Sequence, residues 1–395
     1  VGFRKESTQS FIHLLKEGQA FVHEPESKQS KKDISLGKND NNNLPIIIHI
    51  SDIHFGSKIK DGKEVDMHRF YEGENSQSLS AHLIEELTSE SSRYKDKIHR
   101  IELVVSGDLA YTASEADFQK ALIFLNEVSS GAGIPKRKFH IIPGNHDINW
   151  ALSKIDNTKR FDNYINFLAK FYGDELFKEK YPKIKWPLYM GDPRPKASEI
   201  ISLYFDEATN LMIVGFNSCV FENEQHHYGF IGERQLKTAK ELMQNTSIQP
   251  EVIKIAVIHH HLHPFPEILN PRNEQEVWLD VSTIRDAGHV ERYLEKMGFD
   301  LVLHGHKHKP QVRETLVRDA DPTNLKKESR PLIVCGAGSI SCIELEHNES
   351  NQYEILELQR SYRYIGAEFV HVEWRSMPLT AGAEWSTIKT WDLLG

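Results

Sequence analysis

Five short polar clusters, each set directly after an apolar run, constrain this chain more than anything else in it. Ile46-Ile47-Ile48-His49-Ile50 runs into Asp52-Ile53-His54, and Ile101 to Val105 runs into Gly107-Asp108. Phe139 to Ile142 leads to Gly144-Asn145-His146-Asp147, Val252 to Ile258 to His259-His260-His261, and Leu301 to Leu303 to Gly305-His306-Lys307-His308. A sixth run, Leu211 to Phe216, leads to Asn217-Ser218. Apolar, β-branched runs of this length fit strands covered on both faces. Between them lie helical patterns at Ala116 to Val128 and Glu233 to Met243. The alternation predicts an α/β core with every cluster at a strand's carboxyl end, the edge where α/β sheets carry their sites. Later strands are expected at Pro331 to Val334, Gln352 to Leu358 and Tyr362 to Trp374. The last alternates aromatic and polar residues, as a half-buried antiparallel strand does.

Upstream of the first run the texture differs. Phe11, Leu14, Leu15 and Phe21 outline a short amphipathic helix, but Glu24 to Asn43 is rich in Lys, Ser, Asp and Asn with almost nothing apolar. Such a composition cannot bury enough surface to order itself. The expected organisation is an N-terminal extension or flexible linker over 1–44, one main domain over 45–358, and C-terminal strands or extension over 359–395. Residues 150–195, rich in aromatics and lysines, read as a helical insertion near the site. The three cysteines, Cys219, Cys335 and Cys342, form no disulfide framework and read as small buried apolar residues in a reducing, cytoplasmic setting. No apolar run approaches the roughly 20 residues that span a bilayer, so no membrane partner is expected. The first residue is Val, which leaves room for an upstream segment and for a larger assembly reached through the N-terminal extension.

The clusters supply carboxylate, amide and imidazole groups. In D-x-H and H-x-H an extended backbone turns the outer two residues to one side, so both reach one pocket. A mixed carboxylate–imidazole set suits divalent ions such as Mn, Fe and Zn. Each piece alone is common, and a histidine at a strand end is usually a hydrogen-bonded boundary residue. His49, His140 and His304 are read in that way, and the pair His226-His227, after the strand ending at Asn217-Ser218, stands where it could line the site but is assigned no role. The weight lies in five clusters falling in one order, each closing a strand.

That order resembles the signature of the calcineurin-like metallophosphoesterases, from about Pro45 to Leu358. The resemblance implies a β-sandwich flanked by helices, an αββα arrangement with a dimetal site at the strand ends. It implies one ion held by Asp52, His54 and His308, and a second by Asn145, His306 and a central histidine. Asp108 would bridge both, each ion taking one of its oxygens. Counting back from the family's His-x-Pro spacing favours His260 as the central ligand, with His259 as the alternative, because His261-Leu262-His263 intervene before Pro264. Two divalent ions are expected, Mn first and Fe or Zn as alternatives, activating a water for in-line attack on phosphorus. The resemblance gives His146 the role of proton donor to the leaving oxygen; Asp147 beside it is read as orienting or charge-stabilising that ring.

The substrate class is narrower than "phosphoester". Protein Ser/Thr phosphatases of this family carry Asp-Arg-Gly after the second cluster and Glu after Asn-His, whereas here Leu109 follows Asp108 and Asp147 follows His146. Gly-Asn-His-Asp resembles the class III cyclic nucleotide phosphodiesterases and the double-strand-break repair nucleases. The formal charge of −9, from 48 basic and 57 acidic residues, argues against a broad nucleic-acid-binding face. The expectation is a phosphodiesterase on a nucleotide or other small phosphodiester. A DNA or RNA nuclease, a phosphomonoesterase and a non-catalytic module within a larger assembly are the alternatives.

Overall fold

A computed structural model describes residues 44–68, 70, 78–150, 152, 158–189, 191–223, 226–246, 252–265, 282–316, 331–341, 350–359, 368–378 and 383–394. The expectations for the N-terminal extension up to residue 43 and for Cys342 lie outside these residues.

The first sheet takes β1 (Ile46–Ile50), β4 (Ile101–Val105) and β5 (Phe139–Ile141) in parallel. Its other half is antiparallel: β12 (Asn351–Leu358) pairs with β1, then come β13 (Glu368–Met377) and β14 (Ser386–Leu394). The strand order is β14-β13-β12-β1-β4-β5, so the C-terminal strands extend the same sheet that holds β1. The second sheet runs β10-β11-β9-β8-β7-β6. Its parallel centre is β7 (Leu211–Gly215), β8 (Ile253–Val257), β9 (Leu301–His304) and β11 (Leu332–Ala337). Its antiparallel edges are β6 (Ser202–Asp206) and β10 (Pro310–Thr315). A small hairpin, β2 (Ser57–Lys60) and β3 (Lys63–Asp66), follows β1.

Side-chain alternation sorts the core into three layers. Ile47, Val104, Val257, Leu303, Cys335 and Leu356 fill the space between the sheets. The other parity of the first sheet, Ile46, Ile48, Leu103 and Val105, packs against α1 (Leu79–Thr88), α2 (Glu115–Ala132), α3 (Asp162–Tyr172) and α4 (Asp174–Lys180). The other parity of the second sheet, Val214, Ala256, Ile258 and Val302, packs against α5 (Glu233–Gln244) and α6 (Ala287–Lys296). This is the expected αββα sandwich, and α3 and α4 sit within the expected insertion. Each buried Ile, Val or Leu contributes about 1.5–3 kcal/mol, so strands that bury both faces hold the loops at their ends firmly in place.

Helix boundaries follow local chemistry. Ser114 caps α2 by accepting from Asp117 N–H, and Gly133 ends it in the left-handed conformation. No helix among the described residues is long and apolar enough to cross a membrane.

Candidate metal centre

The site forms where the carboxyl ends of both sheets meet. The loop after β1 lies alongside the loop after β4: Asp52 N–H donates to Gly107 O at 3.1 Å, and Ile53 and His54 N–H both donate to Asp108 O at 2.9 and 3.0 Å. In the second sheet the loops after β8 and β9 are tied by Gly305 N–H, which donates to His259 O at 3.1 Å, and His259 Nδ1–H joins them to the first sheet at Ser106 O, 2.8 Å away. Five residues here, Asp52, His54, Asp108, His306 and His308, hold positive φ between 54° and 77°. A non-glycine residue in that region costs of order 1–3 kcal/mol and persists where the surroundings impose it. Two glycines make the close approach possible. A Cβ on Gly144 would lie 2.1 Å from Asp108 Oδ1, and one on Gly305 would lie 1.9 Å from Ser51 Oγ and 2.6 Å from Asp52 Oδ2.

Two sets of ligand atoms result. In the first, Asp52 Oδ1 lies 3.3 Å from His308 Nε2 and 3.7 Å from His54 Nε2, and the two imidazole nitrogens are 3.2 Å apart. In the second, Asn145 Oδ1 lies 2.9 Å from both His259 Nε2 and His306 Nδ1. Asp108 stands between them, its Oδ2 3.8 Å from His54 Nε2 and 3.3 Å from His259 Nε2. The expectation of one carboxylate oxygen for each half gives way to a single oxygen facing both. Asp108 Oδ1 instead accepts the backbone N–H of His146 at 2.8 Å.

Of the two histidines weighed for the central position, the alternation of the strand turns His259 into the site and His260 away from it. Ile253, Ile255 and Val257 of β8 point between the sheets while Ala256 and Ile258 point toward the helices. His259 continues the inward parity. Its Nδ1–H donates to Ser106 O at 2.8 Å, which leaves Nε2 to the site. His260 turns the other way, with Nδ1 2.9 Å from Ser218 Oγ and Nε2 3.6 Å from Glu222 Oε2.

Asp147 is engaged by the backbone. Its two oxygens accept backbone N–H groups, Oδ1 from Ala110 and Oδ2 from Gly144, both at 2.9 Å. It therefore pins two site loops together. The group that orients His146 is the Tyr111 carbonyl, 2.9 Å from Nδ1. His146 is also sandwiched between rings, with Tyr111 stacked at 4.8 Å and Trp150 at 5.9 Å. Of the histidines read as boundary residues, His49 meets Glu354 at 3.0 Å and Ser106 at 2.9 Å, and His140 meets Glu102 at 2.9 Å. His304 Nδ1 lies 3.2 Å from Gly305 O.

Electrostatics favour a cation here. Burial alone would raise Asp52 and Asp108, but His308 and His54 at the first and His259 and His146 at the second outweigh it, and both carboxyls are held below the usual carboxylate range. Burial pulls His54 and His306 toward the neutral form, as metal ligands require. His259 goes the opposite way: burial lowers it, but the Asp108 carboxylate reverses this and raises it to about 9. A proton then stands where positive charge is wanted. Asp52 Oδ1 is fully buried without a hydrogen bond, an orphan acceptor costing about 1–3 kcal/mol that a cation would relieve. The carboxylate, amide and imidazole donors fit borderline divalent ions, and three overlapping groups have ligand atoms close enough to share one: Asp52-His54-His308, His54-Asp108-His146 and Asp108-His259-His306.

Comparison with known proteins follows from this geometry. The family model described as calcineurin-like phosphoesterase matches residues 46–310. The uncharacterized metallophosphoesterase-like protein YydB of Bacillus subtilis (strain 168) is 25% identical over 174 residues, 40% of this chain and 34% of that protein. The chain thus spans about a third of the length of this curated relative. Among solved structures, purple acid phosphatase PPD1 from yellow lupin superposes with a TM-score of 0.46 at 10% identity, over 89% of this chain and 53% of the lupin chain. PhoD superposes with a TM-score of 0.47 at 10% identity, over 89% of this chain and 70% of its own.

Proposed function

This chain belongs to the calcineurin-like phosphoesterases, and from that premise we propose that it is a metal-dependent phosphodiesterase acting on a nucleotide or another small phosphodiester. The carrying observation is Asp108 Oδ2, set between the Asp52-His54-His308 group on one side and the Asn145-His259-His306 group on the other. Two divalent ions, Mn first, would be held by these seven side chains. When bound, they supply Lewis-acid activation of the phosphoryl group and a water of lowered pKa.

The chain's own residues account for the rest. Asp52 Oδ2 is engaged by the His306 N–H at 3.0 Å, so Oδ1 alone is presented to the site. With Nδ1–H donated to the Tyr111 carbonyl, His146 directs Nε2 toward the substrate, where it delivers a proton to the departing ester oxygen. Stacking by Tyr111 and Trp150 holds that ring in one plane, and proximity of this kind is worth several orders of magnitude in rate. Planar, partly apolar rings flanking the proton donor suit an ester whose leaving group is organic.

The test is turnover of bis-p-nitrophenyl phosphate against p-nitrophenyl phosphate with Mn²⁺. The diester is expected to be the better substrate. Monoester preference would replace this reading with a phosphomonoesterase, absence of turnover with a non-catalytic module, and digestion of single-stranded DNA with a nuclease.

A further inference from the structure

Glu222 is a fully buried carboxylate outside the ligand set, and among the described residues its direct side-chain hydrogen bond is to a residue at the surface. Oε1 accepts from His227 Nδ1–H at 2.8 Å; the Glu222 side chain is 0% exposed and that of His227 is 50% exposed. Oε2 has no hydrogen bond and faces His260 Nε2, itself buried and without one, at 3.6 Å. A carboxylate withdrawn from water is a costly way to hold an exposed ring unless the aim of that ring matters. The loop that carries the pair is fastened from behind: the buried Arg160 guanidinium donates from Nη1 to Glu222 O at 2.9 Å and from Nη2 to Val220 O.

Two independent paths place His227 at the rim of the metal centre. Its ring lies 5.2 Å from Trp150, which also meets the ring of the proton donor His146 at 5.9 Å. Through Glu222 it reaches His260, whose ring is 4.5 Å from that of His306. His227 therefore stands on the side of the site where His146 meets the departing oxygen. With Nδ1–H committed to Glu222, Nε2 is the atom it presents outward.

We infer that His227 is a substrate-binding residue for the organic group expelled beside His146, and that Glu222 is the positioning residue that aims it. Together with Trp150 they form a subsite for a planar leaving group bearing hydrogen-bonding atoms, as a nucleoside does. The inference rests on the phosphoesterase reading above, but it concerns the leaving group and holds for a monoester as for a diester.

The experiment compares KM for a p-nitrophenyl ester with the inhibition constant of inorganic phosphate, which fills only the phosphoryl position. His227→Ala is expected to raise KM about tenfold, the loss of one good hydrogen bond, while phosphate inhibition and bound metal stay as in the wild type. Glu222→Ala is expected to do the same, and the double variant no more than His227→Ala alone, since both act through one contact. Glu222→Gln keeps an acceptor for Nδ1–H and is expected to restore most of the affinity. An unchanged KM in His227→Ala overturns the inference, as does weakening of phosphate in step with the ester. Wild-type preference between diester and monoester tests the function proposed above; the variant-to-wild-type ratio, read on whichever ester is turned over, tests this subsite. Should neither be turned over, the function falls and the subsite is read from calorimetric binding of p-nitrophenyl phosphate against phosphate, with the same expected ratio.

Discussion

Two of the buried clusters of histidine and carboxylate, at different points along the same strands, are built differently. Beyond the carboxyl ends of β4 and β5, Asp108 and Asn145 meet residues of three other loops. Toward the amino end of β4, Glu102 meets His140 at 2.9 Å and Lys138 at 3.0 Å, and Lys180 of α4 reaches His140 at 3.4 Å. The second cluster contains its own cations, and no residue in it has positive φ. In the first, five residues are strained, and Asp52 Oδ1 faces imidazoles where Glu102 Oε1 faces the Lys138 ammonium. The titrations differ too. Histidines hold Asp52 and Asp108 down, while burial pushes Glu102 up to about 7 and Lys180 down to about 7. Composition alone does not separate a metal site from a structural ion network. What separates them is whether the charges close without an external cation.

Five substitutions sharpen the contrast. Asp108→Ala is expected to lower turnover about a thousandfold or more and to strip metal, since both ligand sets lose their shared oxygen. Glu102→Gln is expected to keep turnover within about twofold and bound metal intact; metal loss there, by elemental analysis, would erase the distinction between the clusters. His146→Ala should cost roughly 10²–10⁴-fold in kcat with metal retained, and parallel loss of metal would make it a ligand instead. His259→Ala is expected to weaken metal binding at least 100-fold and His260→Ala by no more than about tenfold, the range for groups behind the ligands; equal effects in a metal titration would undo the assignment of the central histidine.

The smallest effect belongs to the structural cluster. Burial depresses Lys180 from 10.5 to about 7, so its contribution to stability is complete above 10.5 and is lost as pH falls toward 7. Glu102, raised from 4.5 to about 7, loses its contribution as pH rises through that interval. Between pH 7 and 10 the lysine governs, and the wild type should gain up to about 1.4 kcal/mol per pH unit from this group. Lys180→Met, which keeps an apolar stem beside Tyr172 and Tyr204, should flatten that slope in urea unfolding at pH 7.5 and 9.5.

Much of this was legible in the chain. β1 and β4 fall at the residues their apolar runs mark, and six of the seven expected ligands converge, because a strand buried on both faces leaves its end loop few places to go. His259 could have been found by extending the alternation of β8 two residues, a stronger guide than a distance to proline. The hairpin β2–β3 was also marked, by Asp61-Gly62, whose φ values of 53° and 75° fit the mirror-image turn such pairs favour. Tyr111, Trp150, Glu222 and His227 were not legible. Their contacts join loops far apart in sequence, and no spacing encodes which loop of an α/β sandwich folds over which strand end. Asp147 misled because an Asp beside a catalytic His suggests a dyad, while the folded loops consume its oxygens.

Anomalous diffraction from crystals grown with Mn²⁺ addresses the dinuclear centre most directly. Two peaks are expected on either side of Asp108 Oδ2, one against Asp52, His54 and His308 and the other against Asn145, His259 and His306. A single peak, or density gathered instead between His260 and Glu222, would contradict the account.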